Sequence, residues 1–271
     1  MARVAAKPVV LFLKAHVKGY TRKNGVSVRA YERPRVALSP GASVKPLKKK
    51  GRNQNPRAVI HPQKGLHGQP VPIYEPTVPS MEHTWADPSA TAVFVPTGET
   101  PTELNGVAFR EWEGAPATPD EWQDVDGQLP GLEEPELITN DKEAAAGVVI
   151  EELDGRVWLV NPTNGFAGYT ATFPKGRADD GLSLQATAIK EAFEESGLQV
   201  EIVGLIGDVE RTQTVTRYYR ARRIGGTPAA MGWETQAVQL VPKQDLFAAL
   251  NQPVDHLVAQ LAGMGRANSA T

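Results

Sequence analysis

The chain has 271 residues, 22% of them charged and 41% hydrophobic, with a formal net charge of −2 and no cysteine. The missing cysteines exclude a disulfide framework, a cysteine nucleophile and a thiolate zinc site, and His16, His61, His67, His83 and His256 are too scattered for a histidine metal site. The longest apolar run near the start, Val9–Leu13, closes at Lys14, too short for a secretory core or for the roughly 20 residues of a membrane span, so a cytoplasmic protein with no membrane span is expected.

Charge divides the chain unevenly. Residues 1–70 hold 16 Lys and Arg against one acid, Glu32; residues 71–140 hold 14 acids against one base, Arg110. Such polarity points either to separate tasks or to an acidic segment folding over a basic one.

In the first segment, Asn24-Gly25 sits between Val-, Tyr- and Thr-rich stretches from Val17 to Tyr31. That pattern predicts a β-hairpin, because both turn residues tolerate positive φ. Residues 40–70, with Lys48-Lys49-Lys50-Gly51-Arg52, have almost no large apolar side chains and read as a basic, mostly unstructured tract. Residues 1–70 are thus expected to be a basic arm, either gripping nucleic acid or another anionic partner or simply solvated. Residues 71–140 read as an acidic, Pro-rich linker that wraps a neighbour through Trp85, Trp112 and Trp122, with Thr91–Pro96 as an edge strand.

From residue 141 to 262 the texture becomes that of an α/β domain, followed by a flexible tail at 263–271. Ala146–Glu151 and Val157–Val160 flank an Asp154-Gly155 turn, and Tyr169–Phe173 is a third strand. The spacing predicts a helix over Ser183–Ser196 that stops at Gly197. Strands follow at Val200–Val209, Val215–Ile224 and Gln236–Val241, and a helical pair at Lys243–Leu250 and Asp255–Leu261 closes the domain.

On that helix Leu182, Ala186, Ile189 and Phe193 form an apolar stripe, while Glu191, Glu194 and Glu195 gather on the other side. Like charges at i, i+3 and i+4 repel by a few tenths of a kcal/mol per pair. The arrangement suits a bridging hard cation such as Mg²⁺, and equally an acidic solvent face.

The run Phe173–Leu198 resembles the Nudix box. Gly176, Glu191, Glu194, Glu195, Gly197 and Leu198 fall on the family pattern at the right spacing, whereas Leu182, Lys190 and Ala192 stand where it has Glu, Arg and a larger apolar residue. The resemblance implies an α/β/α sandwich with a mixed sheet over 141–262, preceded by the basic arm and the acidic linker. It implies hydrolysis of a diphosphate in a nucleoside diphosphate linked to another moiety, a small-molecule derivative. Glu194 and Glu195 would hold Mg²⁺ or Mn²⁺ with the Gly176 carbonyl. Glu191 would be a further ligand or the base, and Lys190 would replace the arginine that orients the adjacent glutamate.

Glu234 stands where a distant acid completes the site in the family. Phe173-Pro174-Lys175-Gly176-Arg177 looks most like members acting on dinucleoside polyphosphates, inositol pyrophosphates or capped RNA, with Lys175 and Arg177 as substrate ligands. In strand alternation Arg217, Tyr219 and Arg223 share one face. That face is expected to grip polyphosphate and stack a base, and the opposite one, with Tyr218, Arg220 and Arg222, to be ordinary surface. The alternative is a catalytically weak nucleotide- or phosphate-binding module whose arm carries the function.

Overall fold

The computed structural model describes residues 11–17, 20–21, 27–28, 31–37 and 59–265. The chain divides into two compact units, Met1–Asn55 and Pro56–Thr271. In the first, Leu11–Val17 pairs antiparallel with Tyr31–Ala37, and between them in sequence Tyr20–Thr21 pairs with Ser27–Val28. The Asn24-Gly25 turn and most of the basic tract lie outside the described residues.

The second unit is built on a seven-stranded mixed sheet. Its elements are β1 (Ala92–Phe94), β2 (Glu143–Glu151), β3 (Val157–Pro162), β4 (Lys175–Arg177), α1 (Leu184–Ser196), β5 (Leu198–Glu210), β6 (Thr214–Gly226), β7 (Thr235–Val241) and α2 (Pro253–Leu261). The strand order is β5-β6-β2-β3-β7-β1, with β4 also paired to β2. Only β2 and β6 run parallel; the other pairings are antiparallel. Strand β2 is central, and the run Ala144-Ala-Ala-Gly-Val-Val-Ile150 reflects burial on both faces. At Gly147 an added Cβ would lie 2.6 Å from the Cβ of Lys175 and from the Pro174 carbonyl oxygen. Glycine there lets β4 lie close against β2.

Helices cover both faces, giving the α/β/α sandwich. Helix α1 packs on one face with Val148, Ile150, Trp158 and Val238. Leu246 and Val258 of the C-terminal helices pack on the other with Val149, Leu159, Phe173 and Tyr218. The Ser183 hydroxyl starts α1 by accepting from the Ala186 N–H at 3.0 Å. Gly197 ends it with φ 71°, at a point where a Cβ would meet the Thr227 carbonyl oxygen at 2.2 Å.

The change of composition at residue 140 is not a boundary in the packing. β1 extends the sheet by pairing with β7, and Trp85 and Trp122 sit in the same core as α1. The ring of Trp112 meets Phe193 of α1 edge-on at 5.2 Å. Arg156, 1% exposed, donates to the carbonyls of Trp85 at 2.5 Å and Asp87 at 3.1 Å, holding that loop to the β2–β3 turn. The prolines and acids supply a polar exterior to a segment whose aromatic residues complete the core. Among the described residues no helix is long and apolar enough to cross a membrane.

Candidate active site

Helix α1 carries three glutamates to the mouth of β4. The carboxylate of Glu191 lies directly over Gly176, where an added Cβ would sit 2.1 Å from it, so no residue with a side chain fits at 176 unless Glu191 moves. Glu195 Oε2 accepts from the backbone N–H of Lys175 at 2.8 Å. Glu194 is exposed and pairs one helical turn back with the Lys190 ammonium at 3.3 Å, which also holds Asp179 at 2.8 Å. Lys190 therefore does keep a charge contact to one of the glutamates.

Crowding shows in the proton affinities. Burial, then the carboxylates of Glu195 and Glu194, push Glu191 up to about 8. Burial raises Glu195 as well; Lys175 opposes that rise, while Glu234 and Glu194 add to it. Exposed Glu234 therefore lies within electrostatic reach of the cluster, on the segment whose Gly232 N–H donates to the Glu194 carbonyl at 2.7 Å. For Lys190, burial disfavours the charge, but the hydrogen bond to Asp179 and the Glu194 carboxylate outweigh it and its pKa is raised. Among the described residues no three His, Asp or Glu side chains converge on one ligating point. The donor chemistry nevertheless fits a hard divalent cation, whose charge would relieve the repulsion among Glu191, Glu194 and Glu195.

Residues 141–261 match the family model described as NUDIX domain. These residues form a NUDIX domain. An RNA pyrophosphohydrolase of Caulobacter vibrioides is 35% identical over 92 residues, 33% of this chain and 50% of that protein. The chain thus spans about half the length of the curated relatives it matches. A crystal structure of a NUDIX hydrolase from Nitrosomonas europaea aligns at TM-score 0.39 and 23% identity, over 45% of this chain and 69% of that one. A C. elegans Ap4A hydrolase aligns at TM-score 0.37 and 19% identity, over 45% and 95% respectively.

Within the Nudix domain, Leu182 is half-buried against the core, so the residue in place of the box glutamate extends the apolar stripe. Arg177 is exposed and pairs with Glu143 at 2.6 Å. Lys175 stands beside the cluster, its ammonium 5.6 Å from the centre of the Tyr169 ring.

Arg217 and Tyr219 are not free to meet a substrate as the alternation argument expects. Arg217, 2% exposed, bonds Asp208 at 2.7 and 2.8 Å and Glu134 at 3.1 Å, and the Tyr219 hydroxyl donates to Glu134 at 2.6 Å. Arg223 on the same face bonds Glu152 at 2.5 Å and stacks on Phe109 at 4.3 Å. Alternation groups these three residues correctly, but the segment N-terminal to the Nudix domain covers that face. The opposite face is not plain surface either: Tyr218 is fully buried and its hydroxyl accepts from Arg211 at 2.6 Å. Arg220 and Arg222 pair with Glu151 and Glu201.

Sequence reasoning misses a second cluster beside the Nudix box. Arg211 donates to the Tyr169 hydroxyl at 2.8 Å and to Asp255 at 2.5 Å. Asp255 is fully buried, an acid on the inward side of α2 that a reading of its amphipathicity would have flagged. Tyr169 borders a cavity of about 610 Å³ together with Asn161, Gln236 and Gln239.

Proposed function

We propose that the Nudix domain is a divalent-metal-dependent diphosphohydrolase acting on a nucleoside diphosphate linked to another moiety, with a dinucleoside polyphosphate-like substrate favoured. The observation that carries this reading is Glu191 seated on Gly176 beside Glu195, which is anchored on the Lys175 N–H. Glu194, Glu195 and the Gly176 carbonyl would hold Mg²⁺ or Mn²⁺, with Glu191 as a further ligand. When bound, the cation neutralises phosphate oxygens and lowers the pKa of water. Glu191, seated over Gly176 beside the other two carboxylates, takes the proton from the attacking water if it is not a ligand. Lys190 keeps Glu194 in place, Lys175 and Arg177 offer positive charge to the phosphates, and Glu234 supplies an additional acid.

The name of the Caulobacter relative supports a polyphosphate carried on RNA. Residues 1–70, with 16 basic residues against one acid, are the part we assign to nucleic acid or another anionic partner. A second reading, a binding module with little turnover, draws on Leu182 and Lys190. The test is release of mononucleotide or phosphate from dinucleoside polyphosphates and 5′-triphosphorylated RNA with Mg²⁺ or Mn²⁺. Turnover on any of them supports hydrolysis; nucleotide binding with no turnover throughout favours the second reading.

A further inference from the structure

We infer that Tyr74, which lies outside the Nudix-matched residues, forms one wall of a nucleobase pocket and helps set which base-bearing substrates the domain accepts. The inference rests on the diphosphohydrolase reading for its kinetics, but not for its binding chemistry. The 610 Å³ cavity is bounded on one side by Tyr74, Glu75 and Pro76 and on the other by Tyr169 and the amides of Asn161, Gln236 and Gln239, a size usual for a small-molecule site. Among the described residues Glu75 is its one charged lining residue, so an anionic group is a poor occupant. Two phenol rings offer π-faces; Asn161 and Gln236 are buried, with their amides bonded within the protein, Gln236 Nε2 to the Pro162 carbonyl at 3.1 Å, and form a fixed polar floor. Flat heteroaromatic bases bind by stacking on such faces.

The wall is built in advance. The Tyr74 N–H donates to Gln236 Oε1 at 2.9 Å. Val71 and Ile73 are buried at 3% exposure, and Pro72–Ile73 pairs with Val59–Ile60. Gln63 Nε2 ties the same segment to the Met231 carbonyl at 3.2 Å. Against this fixed backbone the Tyr74 side chain remains 64% exposed. The facing amides are oriented by one another: Gln239 Nε2 donates to Asn161 Oδ1 at 3.0 Å, and Asn161 Nδ2 to the Thr170 carbonyl at 2.6 Å.

One residue links the cavity to the segment that holds the glutamate cluster. Tyr169 is shared between the cavity and Lys175, whose backbone holds Glu195. A base lodged between the tyrosines would therefore leave its phosphates on the Lys175 side.

The test compares wild type, Tyr74→Ala and Tyr74→Phe in the full chain. Calorimetric binding of a methylene-bridged, non-hydrolysable dinucleoside polyphosphate is measured beside inorganic tripolyphosphate as a base-free probe, and kinetics follow on the hydrolysable dinucleotide. Loss of one base–aromatic stack is expected to weaken dinucleotide binding and raise KM by roughly tenfold in Tyr74→Ala. Tripolyphosphate binding and kcat should stay within about twofold, and Phe should restore the wild-type values. Wild-type dinucleotide affinity in Tyr74→Ala, or an equal loss for tripolyphosphate, overturns the assignment. If no variant turns over but dinucleotide binding still depends on Tyr74, the hydrolase reading fails and the base wall stands.

Discussion

Glu191→Gln tests the electrostatics of the site without changing its shape, since the amide can occupy the same space over Gly176. Burial, followed by the Glu195 and Glu194 carboxylates, lifts Glu191 from an ordinary 4.5 to about 8. The folded protein thus holds this proton more tightly than the unfolded chain. The associated stability is fully present below about pH 4.5 and is lost as pH rises to about 8. One pKa unit corresponds to about 1.4 kcal/mol, and pH 7 lies about 2.5 units above the ordinary value, so the loss at pH 7 is bounded at about 3–4 kcal/mol. Glu195 is raised as well and the two carboxyls titrate together. Removing one of them should therefore recover about half, roughly 1–2 kcal/mol.

For a unit of this size each kcal/mol moves Tm by about 2–4 °C. Thermal unfolding in chelator should show Glu191→Gln about 2–8 °C above wild type at pH 7–8, with the curves converging near pH 4.5. Added Mg²⁺ should raise wild type more than the variant, because it binds the folded state. Parallel Tm–pH curves, or a variant less stable than wild type at pH 8 in chelator, would refute the reasoning.

Three further outcomes are expected. Leu182→Glu with Lys190→Arg returns two of the three departures to the Nudix box pattern and should raise kcat, while the half-buried carboxylate costs about 1–2 kcal/mol in Tm-derived stability; unchanged kinetics would mean that other acids, such as Asp179, already fill those roles. Arg217→Met should lower stability by about 1–3 kcal/mol, less than for a fully buried pair because Asp208 and Glu134 are partly exposed; a tenfold KM increase at unchanged Tm would instead restore Arg217 as a substrate ligand. A chain starting at residue 56 should fold and hydrolyse small dinucleotides as the full chain does, yet lose salt-sensitive nucleic-acid binding at about 50 mM salt, whereas one starting at 141 should lose cooperative unfolding; equal nucleic-acid binding by the residue-56 chain and the full chain would remove the role of the arm.

Features of this protein that depend on neighbours along the chain were legible in its sequence. The limits of α1 follow from Ser183 and Gly197, and its buried face from the spacing of Ala186, Ile189 and Phe193. Helical geometry alone puts Glu191, Glu194 and Glu195 on one side, and the run from Gly176 to Leu198 marks the family. Strand alternation sorted Arg217, Tyr219 and Arg223 onto one face, but periodicity cannot say what covers a face. That was decided by residues distant in sequence: Glu134 meeting Arg217, Phe109 meeting Arg223, and Phe94 pairing with Val238 at the far edge of the sheet. Composition made the segment containing Trp85 and Trp122 look like a linker, because its prolines and acids outnumber the aromatic residues that bury it. The contact of Glu191 with Gly176, the Tyr169–Arg211–Asp255 cluster and the Tyr74 wall likewise exist only once the sheet closes. Each joins groups far apart in the chain, and no local pattern of residues encodes such a meeting.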